Sequence, residues 1–186
     1  MGVRAFLLNA CRSYRQGHAL VERGAVGGVA TFADVADAGA VRGVRAMARL
    51  LNRGFPLGAA HAIASGESVG GGSYLVGGDG TVDVVQPRYG APVLCGVRAV
   101  DGDDADYELT VRAYLPSGVG VGALAVPYVG DNEEHYLPPG RLDTFRLSEA
   151  ELREYLAWFD DPVRRAGDLY WPDGTDVPEG LLTAPR

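Results

Sequence analysis

The sequence predicts an α/β protein with a partly parallel sheet in its first half, followed by a β-rich region with one amphipathic helix. Three observations predict it. From Val3 to about Gln86 the chain reads strand, helix, strand, helix, helix, hairpin, an order that suits a partly parallel sheet flanked by helices. From Pro87 the texture changes to short alternating strands and turns. Near the end, "LSEAELREYLAWF" places apolar residues at helical spacing behind a capping signal. At 186 residues and 47% apolar, the chain has enough apolar surface for a sizeable core. We place the division at residues 1–88 and 89–186; no internal repeat is evident.

The first element is the apolar run "VRAFLL", Val3 to Leu8, which ends abruptly in the small and polar Asn9-Ala10-Cys11-Arg12-Ser13. "GHALVERG" reads as a short helix closed by Gly24, and "AVGGVATF" to Phe32 as a second buried strand. Asp34 and Asp37 offer caps for a helix from about Ala38 to Arg53 that Gly54 stops. In that helix Val41, Val44, Ala48 and Leu51 share one face, expected to be the buried one. Arg42, Arg45, Arg49 and Arg53 share another, most simply a solvated row. Pro56 opens a further helix in "PLGAAHAIAS", and "GSYLVGGDGTVDVVQ" reads as a hairpin turning at Asp79-Gly80.

In the second half, "YELTVRAYL" alternates with Tyr107, Leu109, Val111, Ala113 and Leu115 on one face. "APVLCGVRAV" and "GVGVGALAVPYV" are its expected antiparallel neighbours. The amphipathic helix, 148–159, has a capping box in Ser148 and Glu151, a staple in Leu147 and Leu152, and a stripe of Leu152, Tyr155, Leu156 and Phe159. The tail after Asp160 reads as irregular and packed by its aromatics.

Charge and composition exclude several classes. All 17 basic residues are Arg, and 24 acids leave a net charge of −7. A surface with this net charge is expected to repel nucleic acid and anionic membrane, whose binding normally rests on a basic patch. Abundant Asp, Ala, Gly and Val without Lys resemble the acidic surfaces of halophilic archaeal proteins. No run approaches the roughly 20 apolar residues of a membrane span, and the first residues do not form a secretory leader, so a cytoplasmic location is expected. Cys11 and Cys95 form no disulfide framework, and no Cys or His cluster has zinc-ligand spacing; neither metal nor cofactor is expected.

Cys11 is the candidate catalytic residue. A thiol just beyond the carboxyl end of a strand is well placed for chemistry, because ligands of open α/β sheets bind outside those ends. The competing reading is a buried structural cysteine, since reactivity needs an activating neighbour as well as a thiol. Asp34 and Asp37, which follow the second strand, are candidates for lining a substrate pocket. "GESVG", Gly66 to Gly70, fits G-x-S-x-G, but a helix precedes it and a strand follows, the reverse of a nucleophile elbow. "DGDDAD", Asp101 to Asp106, has Arg112 at the twelfth position where a calcium loop needs Glu, and reads as a solvated hairpin loop. "GVGVG" from Gly118 is followed by strand and lacks the helix of a phosphate loop.

The series "LLNACRS", "GHALVERGAVGGVATFADVAD" and "MARLLNRGFPLGAAHAIASGES" resembles the C-terminal half of a CHAT domain, the caspase- and separase-like cysteine peptidase module. The resemblance covers roughly residues 3 to 86. Cys11-Arg12 is similar to the caspase Gln-Ala-Cys-Arg-Gly pattern, from which Asn9 and Ser13 depart. It implies a caspase-like half-domain, a protein or peptide substrate, and Cys11 as nucleophile. The histidine of such peptidases lies about 50 residues upstream in caspases. Here His18, His61 and His135 all follow Cys11. His18 reads as a surface or capping residue, His61 as a packed or half-exposed one, and His135 belongs to the β-rich region. The resemblance therefore implies a longer reading frame or a partner chain that supplies the first half of the domain, and "VRAFLL" would then carry an edge awaiting a strand. Regulatory protein partners are common for the family. The alternative is a non-catalytic interaction or regulatory module built on the same scaffold.

Overall fold

The computed structural model describes residues 2–34, 37–66, 73–87, 91–100, 107–114, 123–125, 135–137, 142–158, 161–172 and 177–183. The chain divides into two compact units, residues 1–88 with 116–119, and residues 89–115 with 120–186. The protein is α/β, as its sequence predicts, with mixed sheets that include parallel pairs.

The first unit contains β1 (Ala5–Leu8), α1 (Tyr14–Glu22), β2 (Gly27–Thr31), α2 (Asp37–Asn52), α3 (Leu57–Ser65) and β3 (Tyr74–Gly78). Strand order is β1-β2-β3: β1 runs parallel to β2, and β3 antiparallel to it. Among the described residues β1 is thus an edge strand. The parallel pair needs a crossover, which α1 provides. This helix packs on the face holding Phe6, Gly28 and Ala30, with Gly17 set against Ala30 and the Phe6 ring. Period-two alternation turns Val29 to the opposite face, where it is fully buried and α3 packs on β2 and β3. Both α1 and α2 end in Schellman turns, which satisfy their last carbonyls. Gly24 and Gly54 adopt φ of 96° and 85°, and their N–H groups bond Val21 and Leu51, while Ala25 and Phe55 bond Leu20 and Leu50.

Two expectations fail here. The buried face of α2 is Gly43, Ala46, Met47 and Leu50, while Val41 and Ala48 are exposed and Val44 and Leu51 half-buried. Both sets have helical spacing, and packing buries the first. The hairpin at Asp79-Gly80 does not form, because β3 pairs with β2. The carbonyls of Gly80 and Val82 instead accept the first N–H groups of α3, Gly58 and Leu57, at 2.7 and 2.9 Å, donors that a helix start leaves without partners. Pro56 sits at the N-cap of α3, one position before its first turn.

The second unit contains β4 (Val93–Ala99), β5 (Tyr107–Ala113), β6 (Ala123–Ala125), β7 (His135–Leu137), β8 (Leu142–Leu147), α4 (Glu149–Trp158), β9 (Val163–Arg165), β10 (Asp168–Tyr170) and α5 (Glu179–Thr183). Its main sheet has the order β10-β9-β4-β5-β8, with β9 parallel to β4. β5 alternates as expected: Tyr107, Leu109, Val111 and Ala113 are buried, and Arg112 is exposed. Its second neighbour is β8, however, and not the 118–129 segment, of which β6 pairs with β7 in a separate sheet. Leu115 and Phe159 lie outside the described residues. The tail is more ordered than its sequence suggests: β9 and β10 form a hairpin, and Leu181 and Leu182 of α5 join the core. Buried Arg165 stacks on the Tyr107 ring at 5.6 Å and donates to the Leu181 carbonyl, which helps fix that tail.

The capping box of α4 forms. Ser148 N–H and hydroxyl reach Glu151 Oε2 at 2.8 and 2.7 Å, and Glu151 N–H reaches back to Ser148 Oγ at 3.3 Å. Leu147, Leu152, Tyr155 and Leu156 are buried in the core of this unit.

Candidate active site at the end of the first strand

The turn that carries Cys11 leaves β1 at Leu8 and enters α1 at Tyr14. Ser13 occupies the N-cap position, yet its side chain makes no capping bond. It is used across the sheet instead. Its hydroxyl donates to the Leu8 carbonyl at 3.3 Å and accepts the Thr31 N–H at 3.1 Å, while its own N–H donates to Thr31 Oγ1 at 3.2 Å. Thr31 Oγ1 in turn donates to the Ala10 carbonyl. Both residues are buried, and each hydroxyl has partners for donor and acceptor roles, so the pair lies in low dielectric without an orphaned polar group. The effect is to pin the turn over the end of β2.

Arg12 sits at the apex with φ of 55°, a left-handed conformation that costs a non-glycine residue roughly 1–2 kcal/mol. Its N–H reaches the Ala33 carbonyl at 3.4 Å, and its guanidinium pairs with Asp34 at 3.0 Å. Both side chains are about two-thirds exposed, at 70% and 67%, so the ion pair orients more than it stabilises. Between the turn and the end of β2 lies a groove of about 710 Å³ lined by Arg12, Tyr14, Arg15, Phe32, Ala33 and Asp34. Arg15 bonds the Tyr14 hydroxyl at 3.2 Å, and the aromatic rings of Tyr14 and Phe32 are partly open to solvent.

Cys11 is exposed, and among the described residues its sulfur forms no hydrogen bond. It does not line the groove, although the next residue does. Its polar neighbour is Tyr74 of β3, whose phenol donates to Asn9 Oδ1. Burial, and after it the charge of a Cys11 thiolate, hold that phenol above its ordinary value of 10.0. The opposite case is Cys95, fully buried with its sulfur 3.7 Å from the Tyr155 hydroxyl. Burial pushes that thiol far up, beyond any role as a nucleophile.

Of the residues singled out in the sequence, the structure brings Arg12 and Asp34 together beside Cys11. Asp37 opens the backbone of α2, and its side chain lies outside what is described. His18 is exposed and faces Glu22 at 3.6 Å, one helical turn along α1. His61 lies against Ser65, its neighbour on α3. Neither bonds Cys11. His135 contributes backbone to β7, and its side chain is not described. "GESVG" beyond Gly66, "DGDDAD" and "GVGVG" lie outside the described residues. Among those residues no three His, Cys, Asp or Glu side chains cluster as metal ligands. Nor is any helix among them long and apolar enough to cross a membrane. Sequence reasoning missed Thr31 and Tyr74. Both are strand residues whose role depends on a turn far away in the chain, and no local pattern signals it.

Comparison with family models, with curated proteins and with solved structures finds no match. The site's function therefore rests on its geometry.

Proposed function

We propose that the chain is part of a CHAT-type, caspase-like cysteine peptidase, with Cys11 as nucleophile and the catalytic histidine supplied by an upstream segment or a partner chain. One observation carries the reading: Cys11 is solvent-exposed in a turn pinned at the carboxyl end of β1, beside a groove able to take a peptide. In this scheme the thiolate attacks the scissile carbonyl and forms an acyl-enzyme. The imported histidine gives its proton to the departing amine and then activates water for hydrolysis. Arg12 and Asp34 border the substrate groove, and Asp37, three residues further along the chain, is a further candidate for contacting substrate. The edge position of β1 suits addition of the strand that would bring the histidine. A cytoplasmic setting, an acidic halophilic surface and a protein or peptide substrate belong to the same reading.

A second reading is favoured by a specific observation: neither described histidine side chain bonds Cys11. On that reading the unit is a non-catalytic caspase-like interaction or regulatory module. A peptidyl acyloxymethyl ketone library applied to the protein purified from its source separates the two. The peptidase reading expects a thioether on Cys11 that is absent after Cys11→Ala, together with peptide hydrolysis lost in the same variant. Alkylation of Cys11 by iodoacetamide without reaction towards any peptidyl probe would leave the module reading.

A further inference from the structure

We infer that α2 carries a docking face for an acidic amphipathic helix of another protein. The four apolar residues expected in the core, Val41, Val44, Ala48 and Leu51, are the ones packing leaves outside: Val41 is 53% exposed, Ala48 exposed, and Val44 and Leu51 half-buried. Their spacing of three, four and three residues is that of a coiled-coil seam. At 1.5 Å per residue it runs about 15 Å along the helix. On one side this shelf meets the buried face of α2 at Met47. On the other it meets Arg45, with Arg42 and Arg49 beyond.

Charge identifies the occupant. From Val41 to Arg53 the chain carries four Arg and no acid, although the whole protein is at −7. Arg42 and Arg45 are both exposed. A helix that sets leucine-like residues on the shelf would hold its outer flank against Arg42 and Arg45, the two exposed arginines of that row. Glutamate or aspartate there gains, and lysine or arginine is repelled. A second copy of this chain fits poorly. Two α2 helices would oppose their arginine rows, and the acidic helix α4 already uses Leu152, Tyr155 and Leu156 in its own core. A membrane surface also fits poorly, since the shelf lacks the aromatic anchors of an interfacial helix. The inference is independent of the peptidase reading, because it uses neither Cys11 nor its groove.

The test measures fluorescence anisotropy of labelled synthetic helices titrated with the full chain. One helix has leucine at its seam and glutamate on its flanks, and its counterpart has lysine there. The expected result is binding of the glutamate helix, weakened about tenfold or more by Arg42→Glu with Arg45→Glu, and lost with Val41→Asp. All three sites are exposed, so the variants retain the fold. The inference is overturned if the glutamate helix does not bind, if the lysine helix binds equally well, or if charge reversal changes nothing. Binding of phosphatidylglycerol vesicles that the glutamate helix does not displace would overturn it in favour of a membrane surface.

Discussion

The hydroxyls of Ser13 and Thr31 lie 3.1 Å apart in the protein interior, and each also accepts the other residue's backbone N–H. Two residues 18 positions apart thereby tie the Cys11 turn to β2. Ser13→Ala leaves the Thr31 N–H without its acceptor, and Thr31→Val removes the hydroxyl that accepts from the Ser13 N–H and donates to the Ala10 carbonyl, leaving those two groups only their 3.2 Å bond to each other. Each change is expected to cost about 1–3 kcal/mol. Urea denaturation of both single variants and the double variant should show strong non-additivity, since either change breaks the same network. Additive losses would mean that the two side chains act separately.

Arg12 holds a conformation that glycine adopts freely. Arg12→Gly is expected to match or exceed the stability of the parent despite losing the Asp34 ion pair, and Asp34→Asn to change stability by less than about 0.5 kcal/mol. Thermal midpoints of the two variants check this. A large loss from Asp34→Asn would show that the ion pair, and not the Ser13–Thr31 tie, fixes the turn.

Gly28 admits the Phe6 ring over the sheet: a Cβ at position 28 would lie 2.3 Å from that ring. Gly28→Ala should therefore destabilise the first unit by about 1–3 kcal/mol, as overpacking does. Adding Phe6→Leu, which removes the ring, is expected to recover part of the loss. A denaturation series on the three variants reads this coupling directly.

Ser148 holds the Glu151 carboxyl below its ordinary value, first through its backbone N–H and then through its hydroxyl. Because the folded value is the depressed one, the stabilisation is fully present above the unfolded carboxyl's range and is lost as pH falls through the folded value. Glu151→Ala is thus expected to lower the urea midpoint at neutral pH and to converge with the parent in acid. Ser148→Ala should cost about 1 kcal/mol at neutral pH.

The two cysteines differ in access and environment. Under native conditions iodoacetamide is expected to modify Cys11 and spare Cys95, which should react only on unfolding. Peptide mass spectrometry over a time course distinguishes the sites. Equal rates would place Cys95 in an open region, contrary to its packing against Tyr155.

What the sequence determined by itself is what short-range chemistry encodes. The Ser148-Glu151 capping box, the Gly24 and Gly54 stops, the alternation of Tyr107 to Ala113 and the turn between β1 and α1 were all legible, because each is decided within a few residues. Cys11 and Arg12 could be singled out there for the same reason. The tertiary structure decided everything that needed a distant partner. On α2 two sets of residues each share a face of the helix, and packing buried Gly43, Ala46, Met47 and Leu50 while leaving Val41, Val44, Ala48 and Leu51 exposed or half-buried. β3 is expected to turn back at Asp79-Gly80, because Asp-Gly is a local hairpin signal, but it pairs with β2 instead, a partner that no local pattern names. β8 took the place beside β5 expected of the 118–129 segment, since strand order follows the packing of a whole sheet. At the site, Thr31 and Tyr74 are ordinary strand residues until the fold brings them to Ser13 and Asn9. Their roles arise from long-range hydrogen bonds, which no local periodicity records.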